Sequence, residues 1–325
     1  MGSIRKVRMF PLDFEEFLLA MGCGQDSIDG MREKFISGES LNESMHNYMM
    51  QQFKLYLLVG GLPEAINKFL ENRNMIHVRK VQSDIHTLYK IDASQYDSER
   101  KLVIRKIYDM VPSNMENKKK RIIVKHIEET KGHKQFSDYA EEFEYLTNSG
   151  IALSVQSVSN PKFPLLESEN KNLIKLYMND VGLLTNLLYG VNINAVLNDD
   201  RSINLGSVYE SVVAQELRAH GYTLHYYDNK QRGEVDFLID DYENLTVMPI
   251  EVKSGKDYTV HSALDKFLNT EDYNVKKAVV LNNEREVREK NGVVYQPIYY
   301  CMFFDQNRLS DSADCIIPEI PIPKG

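Results

Sequence analysis

The 325-residue chain has no Trp and only three cysteines, Cys23, Cys301 and Cys315. The missing Trp carries no functional meaning of its own. The cysteines lie far apart, so no pair has the spacing that zinc binding or dithiol redox chemistry requires. An odd, sparse count suits a reducing cytoplasm better than secretion. Apolar runs are short as well, and none approaches the roughly 18 residues of a membrane-spanning helix. No basic segment followed by an apolar stretch opens the chain, so no signal peptide is read. The expectation is a cytoplasmic protein without a membrane partner. The eight His residues are scattered, with no zinc-type spacing. No Gly-x-Ser-x-Gly elbow supports acyl transfer. Internal repeats and low-complexity blocks are absent too.

What is present is ordinary for a folded protein. Apolar residues make up 42% and charged residues 26%, close to globular averages, and the length has room for two or three domains. The formal net charge of −8 argues against a molecule that binds polyanions with its whole surface. Local basic patches stay open, because the field at a site depends on nearby charges.

The chain reads as mixed α+β. The opening Met1 to Arg8 is a short exposed or strand-like piece. A helix is expected over Pro11 to Ala20, with Pro and acids in its first turn and Phe14, Phe17, Leu18 and Met21 on one face. A second covers about Leu41 to Leu58, and Gly60-Gly61-Leu62-Pro63-Glu64 breaks the chain before a third through Ala65, Ile66 and Phe69. Helical character continues from about Val78 to Pro112, giving an all-α region over residues 1–115. Within 116–190, Lys118 to Arg121 should open a helix through Ile122, Ile123 and Ile127, followed by a helix carrying Phe136, Tyr139, Ala140, Phe143 and Leu146 that Gly150 ends. Strands at Ile151–Ser157 and Leu173–Met178 complete a winged-helix pattern. Such modules bind DNA or serve as packing domains inside larger ATPases, and packing is slightly favoured. The basic quartet Lys118, Lys119, Lys120 and Arg121 is the candidate nucleic-acid contact, against the plainer reading of a solvated helix end.

An Asn- and Asp-rich connector over 185–205 suggests a boundary. Residues 200–305 then read as an α/β domain: helix Ser207–His220, strands Thr223–Tyr227, Glu234–Ile239 and Thr246–Lys253, a helix near His261–Leu268, and strands Ala278–Leu281 and Tyr295–Phe303. The tail, 306–325, is expected to be loosely ordered.

One constellation has the parts for chemistry. Alternation along a strand puts Val235, Phe237 and Ile239 on one face and Asp236 on the other. It likewise puts Met248, Ile250 and Val252 together and turns Glu251 and Lys253 the other way. The short turn Asp240–Asn244 makes the two strands an antiparallel hairpin, so Asp236, Glu251 and Lys253 converge. Adjacent carboxylates are costly unless a cation joins them, and Mg²⁺ commonly takes one or two carboxylates plus water and phosphate. With a lysine alongside, this suits metal-assisted phosphodiester hydrolysis. The plainer alternative is a surface strand pair with a cross-strand ion pair. Glu210 is a fourth candidate, and two readings of it stay open: a site acid on the face that packs on the sheet, or the N3 member of a capping box with Ser207.

The ordered segments Gly60–Glu64, Lys175–Leu184, Tyr209–Leu217, Glu234–Ile239 and Pro249–Gly255 closely resemble prokaryotic AAA-type ATP-binding proteins with an uncharacterised C-terminal domain of the PD-(D/E)XK nuclease superfamily. The resemblance implies that Asp236, Glu251 and Lys253 match the metal-and-catalysis signature, with Mg²⁺ or Mn²⁺ as cofactor held by Asp236 and Glu251, and that Glu210 matches the helix acid often seen before it. It also implies an N-terminal P-loop module, yet no Gly-x-x-x-x-Gly-Lys-Ser/Thr occurs, and Gly60-Gly61 lacks the phosphate-binding Lys. No ATP site and no ATPase activity are therefore expected of this chain. It reads as truncated, a fragment, or a gene that lost its motor, with nucleic acid, a second copy or a separate ATPase as partner. The functional expectation is a Mg-dependent nuclease-like or nucleic-acid-binding protein. The alternative is a non-catalytic DNA-binding or assembly module, or a remnant.

Overall fold

The computed structural model describes residues 8–95, 100–116, 120–127, 134–200 and 202–306. The expected loose tail, all but the last residue of the opening segment, Lys118, Lys119 and Cys315 lie outside the described residues. The N-terminal half is helical: α1 (Phe14–Ala20), α2 (Gln25–Ser37), α3 (Glu43–Val59), α4 (Pro63–Asn72), α5 (Met75–Gln95) and α6 (Lys101–Glu116). Next come α7 (Ala140–Asn148), β1 (Ala152–Val158), β2 (Glu169–Met178), α8 (Val181–Tyr189) and α9 (Ile193–Leu197). The C-terminal part holds α10 (Leu205–Ala219), β3 (His225–Asn229), β4 (Gly233–Asp241), β5 (Thr246–Val252), α11 (Ser262–Leu268), β6 (Ala278–Asn282), β7 (Arg288–Lys290) and β8 (Val293–Pro297).

All eight of these strands form one mixed sheet in the order β2-β1-β3-β4-β5-β6-β8-β7. The hairpin β1–β2 is joined to the C-terminal strands by a short parallel pairing of β1 with β3, Gln156 beside His225 and Ser157 beside Tyr226. The sheet therefore runs without interruption across the connector region. One face is covered by a large apolar core built with α3, α6, α8 and α10, including Phe53, Tyr56, Val208, Val212 and Phe237. The other carries a smaller core around Val235, Leu238, Val247, Leu264 and Phe267.

Three expectations are corrected. The first is a helix over Lys118–Ile127: residues 120–127 are extended, ending in a 3₁₀ turn at Val124–His126. The β-branched run Ile122-Ile123-Val124 disfavours a helix, and its backbone pairs instead with the free edge of β2, Ile122 N–H donating to the Ile174 carbonyl at 3.0 Å. The connector is the second, because α8 and α9 occupy much of it and bury Leu184, Ala195 and Val196. Three of its Asn residues sit at helix ends: Asn192 before α9, Asn198 after it and Asn204 before α10. Finally, the expected strand to Phe303 stops at Pro297, and Ile298–Phe303 is a buried 3₁₀ helix that packs against α10 and the first helices. Aromatic-rich segments with every side chain buried look alike in either form until packing decides.

The break at Gly60-Gly61 has a close-packing cause. Gly60 has φ +75°, and a Cβ there would lie 2.3 Å from Asp180 Oδ1. A Cβ on Gly61 would lie 2.0 Å from the Leu12 carbonyl oxygen. Only glycine permits both the backbone angle and the approach.

Candidate functional site

The site lies where β4 and β5 separate, beneath α10 and the end of the β1–β2 hairpin. Strand β4 pairs with β5 through Phe237–Ile250, Leu238–Pro249 and Ile239–Met248. One step beyond the first of these pairs stand Asp236 and Glu251. Here the alternation breaks: His225 of β3 faces Leu238, whereas Tyr227 faces Val235. Three steps on β4 thus oppose two on β3, so β4 bulges at Asp236–Phe237. Val235 consequently packs into the smaller core while Phe237 and Ile239 pack into the larger one, contrary to the shared face expected of them. Such bulges re-aim side chains and are common beside active sites. Asp236 is turned by it so that its Oδ2 accepts the Val252 N–H at 2.9 Å.

Glu251 is buried, 6% exposed. Its Oε1 accepts from Lys253 Nζ at 2.7 Å, while its Oε2 is buried with no hydrogen-bond partner. Burial, then the neighbouring Asp236 carboxylate, pushes its pKa up to about 8, against the opposing pull of Lys253. Lys253 is itself desolvated, yet the Glu251 carboxylate holds its pKa above the ordinary value.

Glu210 reaches the same cluster from α10. That helix begins at Leu205 with Asn204 as its N-cap, which accepts from Ser207 N–H at 3.4 Å. The capping-box reading of Ser207 and Glu210 is thereby overturned, since the N-cap is Asn204 and the helix starts three residues too early for it. Glu210 instead ion-pairs with Lys120 and receives the Tyr177 hydroxyl at 3.4 Å. Burial and Asp236 raise its pKa to about 7. Lys175, fully buried on β2, ion-pairs with Glu234 and stands 4.5 Å over the Tyr226 ring. It is desolvated, yet its pKa is raised by its surroundings, Glu234, Glu210 and Asp236 among them.

Asp236, Glu251, Lys253 and Glu210 are therefore brought together as one electrostatically coupled group. Of the basic quartet, Lys120 ion-pairs with the buried Glu210, and Arg121, half-buried, stands 3.7 Å from Asp228. Lys175, Tyr177 and Glu234 were missed by sequence reasoning. The only available signal was a lysine at an otherwise apolar strand position.

Among the described residues, no three His, Cys, Asp or Glu side chains stand close enough to hold a metal ion by themselves. Two carboxylates with water and phosphate suffice for Mg²⁺. A buried, partnerless carboxylate oxygen on Glu251 beside a second carboxylate fits the donor set of a hard divalent cation. Also among the described residues, no helix is long and apolar enough to cross a membrane.

Neither curated proteins nor solved structures give a match to the chain. Residues 50–194 match a family model described as Domain of unknown function (DUF8612). Residues 205–301, which hold Asp236, Glu251, Lys253 and Glu210, match Domain of unknown function (DUF4143), a domain usually found with AAA-type ATPases.

Proposed function

We propose that the cluster is a metal-dependent phosphodiesterase site of the PD-(D/E)XK nuclease type, acting on nucleic acid. The observation that carries the reading is Glu251 Oε2, buried without a partner next to Asp236. An unsatisfied buried carboxylate oxygen is costly, and a divalent cation is the group that would satisfy it while relieving the repulsion from Asp236. Asp236 and Glu251 would hold Mg²⁺ or Mn²⁺; such an ion activates water and neutralises phosphate charge. Lys253 stays protonated and is free to donate to a phosphate oxygen or to orient the attacking water. Tyr177 and Lys120 fix Glu210, whose raised pKa suits it to exchange a proton near neutrality. In this reading α7 with the β1–β2 hairpin serves as a winged-helix-like module against which the substrate is steadied.

Purified protein incubated with plasmid and linear DNA in Mg²⁺ or Mn²⁺ tests this. Cleavage should fall by about two orders of magnitude or more in Asp236→Ala and Lys253→Ala. Equal cleavage by all three proteins would assign the activity to a contaminant, and no cleavage of DNA or RNA in either ion would remove the catalytic reading.

A second reading, a non-catalytic DNA-binding or assembly module working with a separate ATPase or a second copy, is favoured by one observation. The Lys120–Glu210 and Lys175–Glu234 pairs already compensate much of the cluster's charge without an ion. Phosphate-driven DNA binding would weaken steeply with salt; binding that ignores salt, or no binding, counts against it.

A further inference from the structure

Away from that cluster, a cavity of about 330 Å³ opens between the N-terminal segment, the start of β1 and the C-terminal end of α10. It is lined by Arg8, Phe10, Leu62, Tyr89, Asn179 and Arg218, with the first residues of β1. Two arginines thus line one space, close enough for their charges to repel. Arg218 donates Nη1 to the Tyr222 carbonyl at 3.1 Å, a bond that supplies no negative charge. Its pKa is lowered first by burial and then by the like charge of Arg8. Arg218 is half-buried and Arg8 exposed, and an anion between the two would relieve the repulsion of their like charges. Asn179 supplies the second polar element. Its Nδ2 donates to the Tyr89 hydroxyl at 3.1 Å, while its Oδ1 is buried without a partner. If the amide is assigned the other way round, the orphaned atom becomes a donor, and in either case one amide atom is unsatisfied. Phe10, Pro11, Leu62 and Pro63 make one wall apolar, while Thr147, Ser149 and Ser154 add hydroxyl groups to the lining.

We propose that this cavity is a binding site for a small phosphate monoester with an aromatic or apolar body, of nucleoside monophosphate size at most. A phosphate dianion matches two guanidiniums better than a single carboxylate does. The volume lies at the small end of the about 300–1,000 Å³ usual for ligand cavities, which excludes larger cofactors. Arg8 and Arg218 take the phosphate, Asn179 with Tyr89 sets its orientation, and the apolar wall receives the body.

Calorimetric titration of the full chain with adenosine 5′-monophosphate, adenosine and inorganic phosphate tests the assignment. The monophosphate is expected to bind at least tenfold more tightly than either fragment. Arg8→Ala, at an exposed position, should weaken it about tenfold with an unchanged melting temperature, and Asn179→Ala should weaken it too. The site is separate from Asp236, so nuclease activity of Arg8→Ala stays as in the parent if that activity exists. Inorganic phosphate binding as well as the monophosphate would overturn the organic-ligand class. No binding at millimolar concentration, or binding indifferent to Arg8→Ala, would overturn the site.

Discussion

Asp180 Oδ2 accepts the backbone N–H of Gly61 at 2.7 Å, across 119 residues of chain. Its Oδ1 accepts from Leu183 N–H at 3.0 Å and so caps α8. The Gly-Gly break and the Asn-Asp-Val-Gly segment are thus one structural joint. Its neighbours are equally fixed: Arg79 donates to the Leu58 and Gly182 carbonyls, each at 3.1 Å, and Gln82 to those of Leu58 and Val59.

Replacing Asp180 by Ala leaves two buried N–H groups unsatisfied and should cost about 2–5 kcal/mol, read as a lower urea midpoint. Asp180→Asn keeps one acceptor oxygen and should cost less. Gly60→Ala should do comparable damage through the clash with the Asp180 carboxylate. Midpoints unchanged in Asp180→Ala would show that the joint does not hold the fold.

Several buried acids make stability depend on pH. The pKa values of Glu216 and Glu251 are raised to about 8 and that of Glu210 to about 7, by burial first, from an ordinary 4.5. That of His220 is raised to about 9: desolvation opposes the charge, but Asp13 and Glu216 outweigh it. In each case the folded chain binds more protons than the unfolded one, so stability falls as pH rises. The acids lose their contribution between roughly pH 4.5 and 8, and His220 loses its between its ordinary 6.5 and about 9. Urea midpoints should decline from pH 5.5 to pH 8.5, and a rising midpoint would contradict this assignment.

Glu251→Gln removes the buried charge while keeping an oxygen for Lys253. Without metal at pH 8.5 it should raise stability by about 1–3 kcal/mol, and it should abolish any rise in melting temperature on adding Mg²⁺ or Mn²⁺. Metal stabilisation that persists in this variant would place the ion elsewhere.

The site was legible where it depended on local pattern. Alternation in two strands singled out Asp236, Glu251 and Lys253, and a helix acid pointed to Glu210. The bulge that turns Asp236 was not legible, because it exists only in the pairing of β4 with His225 and Tyr227 of β3. Nor were Lys120 and Lys175, whose partners lie 90 and 59 residues away. Much of the helical half followed from apolar spacing and the glycine break. Segments such as α8 and α9 were hidden because Asn serves caps and loops alike.

Chromatography of residues 8–200 and 202–306 made as separate chains should show aggregation of each alone and recovery when the two are refolded together. Soluble, independently melting halves would show that the β1–β3 contact is incidental.

That contact also fixes an order of events on the ribosome. The hairpin of β1 and β2 emerges complete, but the ribbon that will lie beside β1 is not made until α10 has followed. For that interval one side of β1 offers unpaired amides and carbonyls to any neighbouring nascent chain. Slow translation through the intervening helices would lengthen the exposure, so expression yield should be more sensitive to codon choice there than in the helical first third.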